Sequence, residues 1–216
     1  MKKMLQSILV IAACFSVSNL SAFVPPPDMM KLYEGRKAMA FGSDKTSEVY
    51  IFTDWSSQDS VKLEPVLEAI APQLMKSAKI YFMTKETPDT ENLNIANFSA
   101  LGRNPKNLEQ YFKIRKVLFQ LAAEKKNPTV EDIKAAVKPL NATYAPLKKE
   151  FTDILVKLNR VVNGVMQVKQ YPTMVLYNLA NSTSKTITVP SEMTQANVLK
   201  ELDNLKVPKA TPSAAT

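Results

Sequence analysis

Three observations predict an α/β fold in which a block of helices interrupts a small sheet. Residues 48–53 (Glu-Val-Tyr-Ile-Phe-Thr) and 78–84 (Ala-Lys-Ile-Tyr-Phe-Met-Thr) are rich in β-branched and aromatic residues, and a helical pattern lies between them. Strand, helix and strand in that order make a parallel βαβ unit. From 90 to 167 the apolar spacing is helical, and an apolar strand then begins behind Pro172.

In chain order, residues 38–41 read as a first edge strand, and Ser43-Asp44-Lys45 as the turn into strand 48–53. Over 57–77, Leu63, Val66, Leu67, Ile70 and Leu74 fall on one helical stripe. Pro65 lies inside that helix, where it removes a hydrogen bond and crowds the carbonyl of Val61, so a kink is expected. In the helical block, a helix opening at Asn104 or Pro105 turns Leu108, Tyr111, Phe112, Arg115, Leu118, Phe119 and Ala122 inward. Pro128-Thr129 starts a shorter helix, with Asp132 at capping-box spacing from Thr129, and Pro139 closes it. A further helix covers 144–165, with Leu147, Phe151, Ile154, Leu155, Leu158, Val161 and Val162 at helical spacing. Residues 185–189 form the last strand, 191–205 a closing helix capped by Ser191, and 206–216 a disordered tail.

Composition narrows the chemistry. The length of 216 residues suits one domain, and 45% apolar with 22% charged residues is ordinary for a globular protein. Met1-Lys2-Lys3 followed by an apolar stretch to Val17 reads as an export signal, too short to span a membrane. Two processing readings stand. Cleavage after Leu20-Ser21-Ala22 makes 1–22 the signal peptide; Ile11-Ala12-Ala13-Cys14 as a lipobox makes it 1–13, with Cys14 acylated and membrane-anchored. Residues 23–37, with Pro25, Pro26 and Pro27, read as a linker. Cys14 is the only cysteine and there is no histidine, so no disulfide, thiolate mechanism, Ser-His dyad or imidazole ligand is available after it. No cofactor and no metal are expected. The net charge of +8 falls to +6 once Lys2 and Lys3 leave, with 26 basic residues against 20 acidic. That excess suits loose association with anionic lipid headgroups or acidic wall polymers. Lys113, Arg115, Lys116, Lys125, Lys126, Lys148 and Lys149 interleave with apolar positions and read as solvated helix faces, and nucleic acid is not expected.

The most informative segment is Phe52-Thr53-Asp54-Trp55-Ser56-Ser57-Gln58-Asp59-Ser60, continuing Val61-Lys62-Leu63-Glu64-Pro65, where a strand runs into a helix start. Ser57 is a residue type preferred as a helix N-cap. The segment resembles the active site of bacterial thiol-disulfide oxidoreductases of the DsbA type: an apolar strand, Asp-aromatic-x-Cys-x-x-Cys, then an amphipathic helix carrying Glu-Pro. Ser57 and Ser60 stand in the cysteine positions. Val168-Lys169-Gln170-Tyr171-Pro172-Thr173 resembles the cis-proline loop of the same family, with Gln170 and Tyr171 bulkier than its usual glycine and threonine. The resemblance spans 38–205 and implies a thioredoxin-like fold with an inserted helical subdomain over 90–167, and a cis bond before Pro172. In that family the helix start stabilises a thiolate, which attacks a disulfide sulfur. A serine can cap the helix but forms no disulfide.

Two functions follow from the resemblance. The first is a redox-inactive binding or scaffolding module of the bacterial envelope, located in the periplasm, as part of a secretion apparatus or other assembly or as a chaperone. Its binding candidates are Trp55, Ser57, Gln58, Asp59, Ser60, Gln170, Tyr171 and Pro172, its partners other envelope proteins or exported polypeptides held by main-chain hydrogen bonds. The second is an enzyme similar to kappa-class glutathione transferases and related isomerases, which carry Ser-Pro-Tyr-Ser here, with Ser57 bonding the glutathione thiolate. The chain lacks the Pro-Tyr, and an inward Asp59 would disfavour that thiolate. As an acyl-transfer nucleophile, Ser57 lacks a Ser-x-x-Lys base, Lys62 being five residues on. Acids such as Asp54 and Asp59 at a helix start are explained by the helix dipole.

Overall fold

The computed structural model describes residues 40–42, 46–103, 107–142, 144 and 149–206. The signal and linker readings, the turn at 43–45, the helix start at Asn104 or Pro105, and residues 207–216 of the tail lie outside them. The elements are β1 (Ala40–Phe41), β2 (Ser47–Thr53), α1 (Gln58–Ser77), β3 (Lys79–Thr84), α2 (Glu91–Arg103), α3 (Leu108–Glu124), α4 (Val130–Val137), α5 (Lys149–Val165), β4 (Thr173–Asn178), β5 (Thr183–Ile187) and α6 (Gln195–Asn204). Short 3-10 turns at Pro88–Thr90, Lys138–Leu140 and Pro190–Glu192 join some of them.

One sheet has the order β1-β3-β2-β4-β5. Strands β2 and β3 run parallel, with Phe52 opposite Met83 and Thr53 opposite Thr84, and α1 is the crossover between them. Strand β4 runs antiparallel to β2, with Thr173 opposite Phe52. The start of β4 is thereby placed beside the end of β2. Helices α2 to α5 intervene between β3 and β4, so this is the α/β, thioredoxin-like fold with an inserted helical subdomain that the resemblance implies. Gly42, at φ +96°, follows β1; a Cβ there would stand 2.6 Å from the carbonyl oxygen of Ala78.

Several elements differ from the sequence reading. Val66 of α1 is 37% exposed, while Glu64 and Ala71 are buried in its place. Successive residues turn by 100°, so Val66 lies at the margin of the stripe set by Leu63, Leu67, Ile70 and Leu74. Pro65 and a second proline, Pro72, both sit on the exposed side of α1, where the carbonyls of Val61 and Glu68 that they leave unbonded belong to exposed residues. Helix α3 is capped by Asn107, whose side chain accepts from Gln110 N–H. The last strand begins two residues earlier than expected, because Thr183 to Ile187 pair with Asn178 back to Met174. Ser191 falls in a 3-10 turn, and α6 is capped instead by Thr194, whose hydroxyl accepts from Asn197 N–H. The capping box at Thr129 and Asp132 is complete, with bonds in both directions.

Two apolar cores result. The larger joins both faces of the sheet to α1 and α6 through residues such as Val49, Ile51, Leu67, Phe82, Leu176 and Val198. The smaller lies within the helical subdomain and contains Leu93, Ala96, Leu118, Phe119, Ile133, Val137 and, from the β2–α1 connection, Trp55.

Arg115 of α3 is no part of a solvated face. It is fully buried, and all five of its N–H donors are used. Nε and one Nη hold the two oxygens of Glu64 of α1 at 2.9 and 2.5 Å; that same Nη reaches Thr53 Oγ1, and the other reaches Asn97 Oδ1 and the Tyr111 hydroxyl. The rings of Trp55, Phe82, Tyr111 and Phe119 surround the guanidinium at 5.2 to 5.6 Å. Removing one partner of such a buried pair leaves an uncompensated charge. Glu64→Leu is therefore expected to lower unfolding free energy by about 3–5 kcal/mol in urea titrations, whereas Lys149→Ala, which breaks an exposed pair with Asp153, is expected to leave the unfolding midpoint nearly unchanged. Equal losses would refute this ranking.

Candidate functional site

The corner between β2 and α1 is built from local hydrogen bonds. Ser57 N–H donates to Asp54 O at 3.0 Å, closing a turn as the strand ends. Ser57 then serves as the N-cap of α1: its hydroxyl accepts from Ser60 N–H at 3.3 Å, with Ser57 in extended backbone conformation. Ser60 is wholly buried, and its hydroxyl accepts from Asp54 N–H at 3.1 Å, tying the first turn of the helix to the strand end. Both serine oxygens, standing where the resemblance places sulfurs, are thus engaged in the backbone framework. A hydroxyl satisfies these orphan N–H groups without carrying charge.

Asp54 anchors the polar side of the corner. One carboxylate oxygen accepts from Ser56 N–H and Oγ at 2.9 and 2.7 Å, and the other pairs with Lys85 Nζ at 2.8 Å. Burial alone would raise its pKa, but hydrogen bonds from Lys85 and Ser56, with the charge of Lys85, outweigh it and hold the carboxyl below its ordinary 3.8. Lys85 follows β3 and lies 5.7 Å from the centroid of the Tyr171 ring. Asp59 faces solvent and pairs with Lys62 at 3.4 Å, so its carboxylate does not point into the corner.

The other wall is the loop 168–172. The Tyr171–Pro172 peptide bond is cis. The Tyr171 hydroxyl donates to Asn163 Oδ1 of α5 at 2.8 Å; burial, then the nearby Asp54 charge, raises its pKa. Gln170 is exposed, its carbonyl accepting from Thr173 Oγ1 at 2.7 Å and its Nε2 donating to Thr188 O at 3.2 Å. Because Thr173 pairs with Phe52, this loop stands next to the segment 54–60.

Of the residues singled out from the sequence, Gln58, Asp59 and Gln170 are exposed, and Ser57 and Tyr171 partly so. Pro172 is buried. Trp55 and Ser60 do not belong to an accessible surface. Trp55 is 2% exposed, its ring 4.6 Å from that of Phe119 and its Nε1 donating to Asn94 Oδ1 at 2.6 Å. It is a core residue joining the corner to the helical subdomain. The sequence reading missed Lys85, Asn94, Asn159 and Asn163. Asn94 also accepts from Thr84 Oγ1, and Asn159 bonds both the N–H and the carbonyl of Thr84, so these amides hold the end of β3. The one available signal was Asn159 and Asn163 at i, i+4 among the apolar positions of α5.

The strand order, the helices between β3 and β4 and the cis bond before Pro172 make a DsbA-like thioredoxin fold, with Ser57 and Ser60 at the start of α1. Solved structures share that architecture. A periplasmic thioredoxin-like protein from Salmonella enterica serovar Typhimurium has 15% sequence identity and a TM-score of 0.56, over 85% of this chain and 98% of its own. The catalytic domain of Proteus mirabilis ScsC has 16% identity and a TM-score of 0.54, over 82% and 97%. Oxidised BdbD from Bacillus subtilis has 12% identity and a TM-score of 0.51, over 81% and 95%. At these identities the likeness carries the fold alone. No family model and no curated protein matches the sequence.

A carboxyl whose folded pKa is depressed contributes stability above its unfolded value and loses it as pH falls through the folded one. Asp54→Asn is therefore expected to be less stable than the parent near neutrality. That gap should close as pH drops below 3.8, measured by chemical denaturation across the acid range. A gap that persists unchanged at the acid end would show that the Asp54 charge is not its source.

Proposed function

We propose that this chain is a redox-inactive envelope protein that binds polypeptides at the corner between the start of α1 and the cis-proline loop. The observation that carries the reading is the pair of serines: Ser57 Oγ and Ser60 Oγ take the helix-start positions and are engaged with backbone N–H groups, while the single cysteine, Cys14, lies outside the described fold. Sulfur exchange has no nucleophile there. The cis-proline loop stands beside the start of α1, and the first turn of α1 adds an exposed Val61 beside Gln58. An exposed apolar side chain flanked by amide groups suits an extended segment that offers main-chain hydrogen bonds and small apolar side chains.

The N-terminal export pattern supports a periplasmic location, either free or anchored through an acylated Cys14. The partners are other envelope proteins or exported polypeptides, in a secretion apparatus or other assembly or in a chaperone role. A photo-crosslinking amino acid at Gln58 or Gln170, in cells expressing the full chain, is expected to capture discrete polypeptide partners. The same probe at Lys200 of α6 is expected to capture none. Recovery of monomer alone from the two corner positions, or equal capture at Lys200, overturns the assignment.

A further inference from the structure

The ion pairs on the Tyr171 side of the corner hold their two charges at different depths. Asp54 and Lys85 meet at 2.8 Å, yet the lysine side chain is 44% exposed and the carboxylate 10%. The next residue, Glu86, pairs with Arg160 of α5 at 3.0 Å, and here the guanidinium side chain is 75% exposed against 17% for the carboxylate. In both pairs the acid lies beneath and the cation faces solvent. A charge approaching from outside comes nearer to the cation, so the two Coulomb energies do not cancel for it.

These cations stand together. Lys85 lies 5.7 Å from the centroid of the Tyr171 ring. The hydroxyl of that ring donates to Asn163, less than one helical turn beyond Arg160 on α5. Lys169, two residues before Tyr171 in the loop, is exposed and pairs with no carboxylate among the described residues. Arg160 uses only Nε for Glu86, so its two Nη groups keep their donors among the described residues and match the two oxygens of a further carboxylate. On the α1 wall, by contrast, Asp59 and Lys62 are both exposed and offset one another.

We propose that the corner selects extended polypeptide segments rich in Asp or Glu, with Lys85, Arg160 and Lys169 meeting their carboxylates. The inference rests on the peptide-binding reading above and adds to it the charge of the partner. A basic segment would meet three cations there, while Asp54 and Glu86 are already paired. Across the corner, Gln58 and Val61 offer amide and apolar contacts that a peptide uses and a lipid headgroup does not.

The test is fluorescence anisotropy of dye-labelled decapeptides titrated with the full chain: Asp alternating with Ala, and counterparts with Asn or Lys in place of Asp. The acidic peptide is expected to bind about five- to twentyfold tighter than the Asn peptide at low salt, and the Lys peptide weakest. That margin shrinks in about 0.5 M salt, where exposed charges are screened. Arg160→Gln and Lys169→Gln each weaken the acidic peptide by about two- to fivefold, the range of one exposed ion pair, and leave the Asn peptide unchanged. Lys134→Gln on α4 removes the same charge elsewhere and changes neither. Equal affinity for the acidic and Asn peptides, or an equal loss in Lys134→Gln, overturns the charge selection and leaves the corner reading in place. Binding of none of the peptides overturns both. Retention on phosphatidylglycerol vesicles that the two corner substitutions abolish, with peptide affinities untouched, overturns the peptide in favour of a lipid surface.

Discussion

The buried pair of Arg115 and Glu64 holds the inserted helices to the sheet-bearing half of the fold. Taking a guanidinium out of water costs several kcal/mol unless its donors are met, and here every one is. The acceptors come from α1, from the end of β2, from α2 and from α3 itself, so one side chain reads the relative position of four elements. A displacement of the subdomain against α1 would leave at least one donor bare in a ring of aromatic carbon. Glu64 lies two helical turns beyond Ser57, which brings this constraint close to the corner it supports.

The corner is held from its other side by uncharged amides. Asn94 joins the Trp55 indole to the end of β3, and Asn159 and Asn163 join that strand end to α5 and to Tyr171. In a low-dielectric setting such chains of hydrogen bonds strengthen one another when complete. The serine hydroxyls fit the same logic. A thiolate at a helix start depends on the dipole for its charge, whereas Ser57 and Ser60 contribute only oxygen acceptors to N–H groups that would otherwise be orphaned.

Much of this was legible in the sequence because it rests on short-range periodicity. The β2–α1–β3 unit, the cap at Ser57 and the capping box at Thr129 follow from residue type and spacing alone. What escaped depends on tertiary partners. Arg115 sat on the inward stripe of α3 yet also counted as a surface cation, and only Glu64, 51 residues away, resolves that conflict. Val66 was exchanged for Glu64 on the buried side of α1 for the same reason. Lys85 and the asparagines carry no local pattern, since their targets are strand ends that the topology brings together. Trp55 was misplaced because an aromatic beside a helix start is equally suited to a groove wall and to a second core; Phe119 and Asn94 decide it.

That position of Trp55 has a spectroscopic consequence. It is the only tryptophan in the chain, and its indole is enclosed by Phe119, Arg115 and Asn94 at the seam between the corner and the helical core. Intrinsic fluorescence excited in the tryptophan band therefore reports from a single place rather than an average over the fold. Emission from so dry and polar-bonded a site is a local optical gauge of whether the seam is closed, and it can be read without attaching any label to the protein.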